Sequence, residues 1–339
     1  MKDLPKISDL DIQGKKVLVR VDLDYKDLPA RAGDVSGTKR QEALLATLEY
    51  LVERASEIIL LSHRGRPGGK TDDSLSTKPV ADRLEDFLRK KWGEEKIKRF
   101  NMFIMENLRF NPGESLDYTR DKEAKEFAEH LAEEGNAYVN EAFASSHRKH
   151  ASIVALPGLL PHAAGFHFVK EVENLGRVLE NPRRPVVVII GGVKEDKLTY
   201  VEPFKKFADR ILIGGRLPTF LPEDYKEEKV VVAKLNQDRQ DITLNSIEEF
   251  EKEIAKAKTL VVSGPMGKFE DEGQRLGTER VLKVASESSA FKVVGGGDTQ
   301  RALSTFGLSD KFDWVSVGGG AMLEFLAKGT LPGIEALLN

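Results

Sequence analysis

Residues 16–24 read KVLVRVDLD, and this stretch decides the fold. Its apolar run from Val17 to Val21 is broken only by Arg20 and ends on two carboxylates, Asp22 and Asp24. An apolar run of this kind suits a strand covered on both faces, and its polar end suits the ligand-binding rim of a parallel sheet. Working outward, similar runs recur at 58–62, 102–105 and 137–140, then at 185–190, 210–213, 229–233, 259–262, 291–294 and 314–317. Helix-period segments separate them. In 120–134, Ala124, Phe127, Ala128 and Leu131 share one face, and Leu44, Leu45, Leu48, Leu51 and Val52 do so after Arg40. The rhythm predicts an α/β protein with doubly wound, Rossmann-like parallel sheets, and it occurs twice. The helical segment 168–179 runs into NPRRP at 181–185 and marks a joint between the halves. The expected boundaries are an N-terminal domain at 1–164, a linking helix at 165–184 and a C-terminal domain at 185–325. A tail at 326–339 is free to return to the first domain.

Composition limits the classes. The 339 residues are 40% hydrophobic and 32% charged, a globular rather than a disordered balance. No apolar run approaches the roughly 20 residues of a membrane span, and the N-terminal residues carry no signal-peptide core. Cysteine is absent, which removes disulfides and thiolate chemistry. These features fit a cytoplasmic chain. Net charge is −3 and the first half is nearly neutral, so a basic site must be a local cluster. A nucleic-acid surface is therefore disfavoured, and no membrane partner is expected. Small-molecule partners and a monomer are the expectation.

The strand ends differ between the halves. The first half carries Asp22, Asp24, His63, Arg64, Gly65, Arg66, Arg109, His147 and Arg148, with Arg40 at a helix start. Guanidinium groups converge where carboxylate or phosphate must be held, so the set points to a small polyanion. In the second half glycines dominate: Gly191–Gly192, Gly214–Gly215, SGPMG at 263–267, Gly295–Gly297 and Gly318–Gly320. Glycine lets backbone N–H groups approach an anion, and it also serves tight turns. No P-loop motif and no well-formed dinucleotide fingerprint occurs. Asp298 is a candidate Mg²⁺ ligand, because Mg²⁺ often takes one carboxylate plus substrate phosphates. Lys194 and Lys197 share a face near a helix start. The pair His147 and His150 lacks an evident third metal ligand. A glycine wall and an arginine wall together suit phosphoryl transfer.

In order, VLVRVDLD, ILLSHRGRPGG, MENLRFNPGE, YVNEAFASSHRKHAS, VVIIGGVKEDK, SGPMGKFE, VVGGGDT and VSVGGGAMLEFL resemble the phosphoglycerate kinase family. The resemblance implies two Rossmann-like domains joined by a helix, which close about a hinge. It also implies transfer of a phosphoryl group between 1,3-bisphosphoglycerate and ADP, giving 3-phosphoglycerate and Mg·ATP. The N-terminal domain would then bind phosphoglycerate through Asp22, Arg40, His63, Arg66, Arg109 and Arg148, with Asp24, Arg64, Gly65 and His147 beside them. The C-terminal domain would bind nucleotide. Gly192, Lys194, Lys197, Gly214, Gly215, Pro265, Glu270 and Gly295 to Thr299 match that role, with Asp298 on Mg²⁺. Arg40, Lys194, Lys197, Gly296 and Gly297 would be catalytic.

Several positions depart from the family. Its DFN reads Asp22-Leu23-Asp24, so an amide becomes a carboxylate. Its lysine pair is one residue closer, GGGMA reads Gly214-Gly215-Arg216-Leu217-Pro218, and the Asn of NGPMG is Ser263. The stretch between Gly215 and Ser263 is shorter than the family's and lacks most of its adenine pocket. Two further readings stay open: a related phosphotransferase with another phosphoryl donor, and a non-catalytic phosphoglycerate-binding relative.

Overall fold

The computed structural model describes residues 3–24 and 36–339. Among these residues the strands form two sheets. The first contains β1 (Lys16–Arg20), β2 (Glu57–Leu61), β3 (Met102–Ile104), β4 (Ala137–Asn140) and β5 (His162–Ala164), in the order β3-β2-β1-β4-β5. The second contains β6 (Val186–Ile190), β7 (Arg210–Ile213), β8 (Val230–Val232), β9 (Thr259–Ser263), β10 (Phe291–Gly295) and β11 (Trp314–Ser316). Its order is β11-β10-β9-β6-β7-β8. Every pairing within these sheets is parallel. The chain order reverses between β1 and β4 in one sheet and between β6 and β9 in the other. Such switch points open crevices at the carboxyl ends of the strands.

The first sheet shows why continuous apolar runs form it. Alternate residues of each strand face opposite sides. Val17, Val19, Ile58, Leu60 and Val139 pack with Leu44, Leu48 and Leu51 of helix Ser36–Val52 and Val80, Leu84 and Leu88 of helix Lys78–Trp92. Leu18, Ile59, Leu61 and Tyr138 pack on the other side, against Phe127, Ala128 and Leu131 of helix Lys122–Glu133. In the second sheet Val187, Ile189, Leu260, Val262 and Val294 pack with Ile247, Phe250 and Ile254 of helix Leu244–Lys256. The interleaved Val186, Val188, Ile190 and Val261 are fully buried as well.

Two compact units result: residues Met1–Val172 with Thr330–Asn339, and Glu173–Gly329. The first division falls inside helix Phe166–Leu179, whose N-terminus is held by the buried Glu141 carboxylate. That carboxylate accepts the backbone N–H groups of His167 (3.0 Å) and Phe168 (2.9 Å). In the first unit, Gly333 N–H donates to the Ser146 carbonyl at 2.9 Å, tying down helix Pro332–Leu338. Strand β5 has no counterpart among the sequence expectations. It is three residues long, its sequence is His-Ala-Ala, and it offers no apolar run to read. Among the described residues, no helix is long and apolar enough to cross a membrane.

Candidate active site

In the first unit, the chain leaves β1, β2 and β4 at one level, because Arg20 lies beside both Leu61 and Asn140. Arg20 is the foundation of the site, although its place inside an apolar strand hid it from motif reading. It is fully buried, so its charge must be satisfied internally. Its Nε donates to Ser152 Oγ (2.8 Å), Nη1 to the Val21 carbonyl (2.6 Å) and Nη2 to His63 Nδ1 (2.7 Å). Its counter-charge is Glu114, also fully buried, with oxygen and nitrogen 3.8 Å apart. Glu114 in turn accepts from Ser152 Oγ (2.7 Å) and Ser152 N–H (3.0 Å).

These donors fix two histidine tautomers. Arg20 can only donate, so His63 Nδ1 accepts and its proton sits on Nε2. That N–H faces Asp24 Oδ2 at 3.9 Å. Arg109 Nη2 lies 3.2 Å from His150 Nε2, which must therefore accept, leaving the Nδ1 proton toward Glu114 at 3.6 Å. Burial, reinforced by the neighbouring arginines, holds His63 well below its ordinary value and brings His150 down to about 2. Both rings are neutral at physiological pH. His150 thus belongs to an anion site's supporting network, with Arg109 on one nitrogen and Glu114 facing the other.

The arginines repel one another. Burial and the charges of Arg148 and Arg20 lower Arg109 to about 10, and burial with Arg66 lowers Arg148. Guanidinium groups crowded in this way gain from any anion that enters. Arg66 is exposed, and Arg40 donates to the Asp24 carbonyl at 2.6 Å. Asp24 also accepts from Gly65 N–H at 3.0 Å. Asp22 is bonded through one oxygen by Ser145 Oγ, and its other, buried oxygen has no hydrogen-bond partner among the described residues. An unpaired buried acceptor beside a cationic cluster suits a ligand carrying both an anionic group and a hydroxyl. Two expected contacts face elsewhere. Arg64 donates to the Ser76 carbonyl (2.5 Å), bracing the loop, and His147 Nε2 accepts from Arg148 Nε (3.3 Å).

In the second unit, a cavity of about 440 Å³ opens at the carboxyl ends of the strands. Gly192, Gly215, Pro265, Glu270, Asp298 and Arg301 are among its lining residues. Ligand pockets fall in this size range. The glycines have a packing reason first. Gly215 has φ +62°, and a Cβ there would stand 2.4 Å from the Gly192 nitrogen, so two strand-end loops cross backbone to backbone. Gly297 differs: it begins helix Gly297–Thr305 and a Cβ would meet nothing within 4 Å, leaving open space at a positive helix end. Gly214 faces Met266 Sδ and Phe250 in the core rather than the cavity, because it directly follows β7 on the side covered by helix Leu244–Lys256. Thr299 is buried too, donating to the Gly295 carbonyl (3.0 Å) and accepting Gly264 N–H (2.8 Å).

Asp298 accepts from Arg301 at 2.6 Å, and Arg301 also reaches Glu270 at 3.5 Å. One exposed carboxylate at the cavity wall fits Mg²⁺ that arrives on a phosphate ligand. Among the described residues, no group of three His, Cys, Asp or Glu side chains could hold a metal ion. Lys194 is exposed, whereas Lys197 donates its ammonium to the carbonyls of Gly191 (2.8 Å) and Ser263 (3.2 Å). Burial lowers Lys197 to about 8, against an opposing pull from Asp298. An anion beside it would favour the ammonium form. Above pH 8, phosphate-ligand binding should therefore take up a proton, and affinity should fall by up to about tenfold per pH unit. Calorimetry at pH 8.5 in two buffers of different ionisation enthalpy measures that uptake; zero uptake would separate Lys197 from the phosphate.

Two strand-end sites, one rich in guanidinium and one built from glycine loops with the exposed carboxylates Asp238, Glu270 and Asp298 along its cavity, define a phosphotransferase-type arrangement. The family model described as Phosphoglycerate kinase matches residues 7–226 and 218–329. The chain is 35% identical to the phosphoglycerate kinase of Rubrobacter xylanophilus, covering 99% of this chain and 98% of the relative, and 37% identical to that of Solibacter usitatus, covering 98% of each. Its structure is similar to phosphoglycerate kinase from Coxiella burnetii, with a TM-score of 0.78, 29% identity and 99% coverage of both chains. It is also similar to that of Pyrococcus horikoshii, with a TM-score of 0.81, 27% identity and coverage of 99% and 98%. The chain belongs to the phosphoglycerate kinase family. The Rubrobacter alignment spans 395 positions against 339 residues, so it opens gaps in this chain. The two matched segments of the family model meet at 218–226, inside the stretch that reads as short in the sequence.

Proposed function

We propose that this chain catalyses reversible phosphoryl transfer between 1,3-bisphosphoglycerate and ADP, forming 3-phosphoglycerate and Mg·ATP. The observation that carries the reading is the mutual repulsion of Arg20, Arg109 and Arg148 around the unpaired Asp22 oxygen. That basin supports binding of a small acid with a phosphate and a hydroxyl. Arg66, Arg109 and Arg148 take the anionic groups, Asp22 accepts the hydroxyl proton, and neutral His63 donates from Nε2. Arg40 stands beside Asp24, placed to meet charge on the transferring group. In the second unit, the open N-terminus of helix Gly297–Thr305 offers backbone N–H groups to the donor's phosphates, and Asp298 would hold Mg²⁺, which would supply neutralisation of the phosphate charge. Catalysis is then positioning and electrostatic stabilisation, with no covalent enzyme intermediate.

A coupled assay with 3-phosphoglycerate and Mg·ATP tests this directly. Turnover in the range of about 1–100 s⁻¹ is the expected result for a kinase. Turnover no faster than that of an Arg40→Ala control at millimolar substrates defeats it. Closure about the linking helix belongs to the same proposal. Solution scattering should show a smaller radius of gyration with both substrates than with neither.

A further inference from the structure

Arg301 stands where its own helix gives it no reason to be. It lies in the second turn of helix Gly297–Thr305, near the end where Gly297 leaves open space. The helix dipole makes that end positive, which favours an anion there and disfavours a cation. Carboxylates hold the guanidinium instead. Its Nη2 donates to Asp298 Oδ1 at 2.6 Å, on the same helix face, and lies 3.5 Å from Glu270 Oε1. Glu270 belongs to the loop that follows β9, and Asp298 to the helix that follows β10, so one cation bridges two strand ends. The guanidinium also lies over the ring of buried Phe269, 5.9 Å from its centre. Phe269, Glu270, Asp298 and Arg301 all line the cavity.

The carboxylates set a problem for any phosphate that enters. Asp238, Glu270 and Asp298 share the cavity wall, and like charges repel across it. Asp238 accepts from Gln274 (2.6 Å) and from Gln240 N–H (2.9 Å), neutral donors that leave its charge in place. Arg301 offsets the other two, at the helix end where phosphates would sit. Both of its ion pairs are about half exposed, and exposed pairs are weak, so exchanging one partner for another costs little. A guanidinium has several N–H donors in a planar fork, which fits phosphate oxygens as well as carboxylate ones. The same side chain can therefore serve Asp298 in one state and a phosphate in the next.

We propose that Arg301 is a phosphate-binding residue that acts as a built-in counter-cation for Asp298. Without metal, it stays paired with Asp298 and screens that carboxylate from the nucleotide's phosphates. When Asp298 is given up to a divalent cation, the guanidinium turns to Glu270 and the phosphate oxygens. The proposal rests on the reading of this unit as the nucleotide side, with Asp298 as the metal carboxylate. Its consequence is a difference between two ligand forms: metal-free ADP depends on Arg301 more than Mg·ADP does.

Titration calorimetry of the full chain with ADP, once in excess Mg²⁺ and once in EDTA, tests it. Arg301→Ala should lose about tenfold more affinity for metal-free ADP than for Mg·ADP, a differential of about 1.4 kcal/mol. Arg301→Lys keeps the charge and should recover part of that loss. The double variant Arg301→Ala/Asp298→Asn lacks the carboxylate that needs screening, so it should bind metal-free ADP more tightly than Arg301→Ala does. Misfolding cannot produce such a recovery. Equal losses with and without Mg²⁺, a larger loss for Mg·ADP, or no recovery in the double variant overturns the proposal. A native chain that binds ADP in neither condition defeats the nucleotide-side reading itself, and the proposal falls with it.

Discussion

Arg40→Ala should lower kcat about a thousandfold while changing the KM for 3-phosphoglycerate far less. Arg40 lies in helix Ser36–Val52 and donates to the Asp24 carbonyl at 2.6 Å, so its guanidinium is anchored to the loop that leaves β1. Anchorage matters because a preorganised cation pays no reorganisation cost when negative charge spreads over the transferring group. On the proposed reading, ground-state binding would fall mainly to Arg66, Arg109 and Arg148, so removing Arg40 should be felt chiefly in the chemical step. Arg40→Lys should recover only part of the rate, since an ammonium restores the charge but not the planar two-point geometry. Steady-state kinetics with varied 3-phosphoglycerate at saturating Mg·ATP separates the two constants. A rise in KM at unchanged kcat would instead assign Arg40 to substrate binding.

The strands were legible because both faces of each sheet are covered, which writes them as Val, Ile and Leu runs. β5 escaped for the opposite reason: a three-residue segment with two alanines carries no such signal. Arg66, Arg109 and Arg148 were legible as strand-end guanidinium groups. Arg20 was not, because it sits inside a run that looked complete as a strand. The available signal was its cost: a charge in an apolar strand demands a buried partner. Glu114 supplies that partner from a loop more than ninety residues away, and spacing cannot reveal such a pairing. The glycines of the second unit divide by what surrounds them: Gly192 and Gly215 line the cavity, and Gly214 does not. Gly214 and Gly215 serve close packing, while Gly297 keeps open space beside it. Arg216 stands in the stretch read against the family's GGGMA, whereas Arg239 lies in no motif, and only the folded loops bring them to one cavity.

Glu114→Ala should destabilise the first unit by about 3–5 kcal/mol, the penalty for stranding one member of a buried ion pair. Arg20 would keep its charge with no carboxylate facing it, and Ser152 would lose the acceptor for both its hydroxyl and its N–H. Glu114→Gln keeps an acceptor in place and should cost less. The two proteins should also diverge with pH in a direction opposite to that of an ordinary salt-bridged carboxylate. Burial outweighs Arg20 and raises the Glu114 carboxyl above its unfolded value of 4.5. A raised carboxyl means that the native state holds the proton more tightly than the unfolded chain. Its stabilising contribution is complete below 4.5 and is lost as pH climbs through the raised native value. Relative to Glu114→Gln, the native chain should therefore lose stability as pH rises from 4.5. Urea titrations followed by far-UV circular dichroism between pH 4.5 and 8 measure this difference. A stability gap that widens in favour of the native chain with rising pH would show that Arg20, not burial, governs this carboxyl.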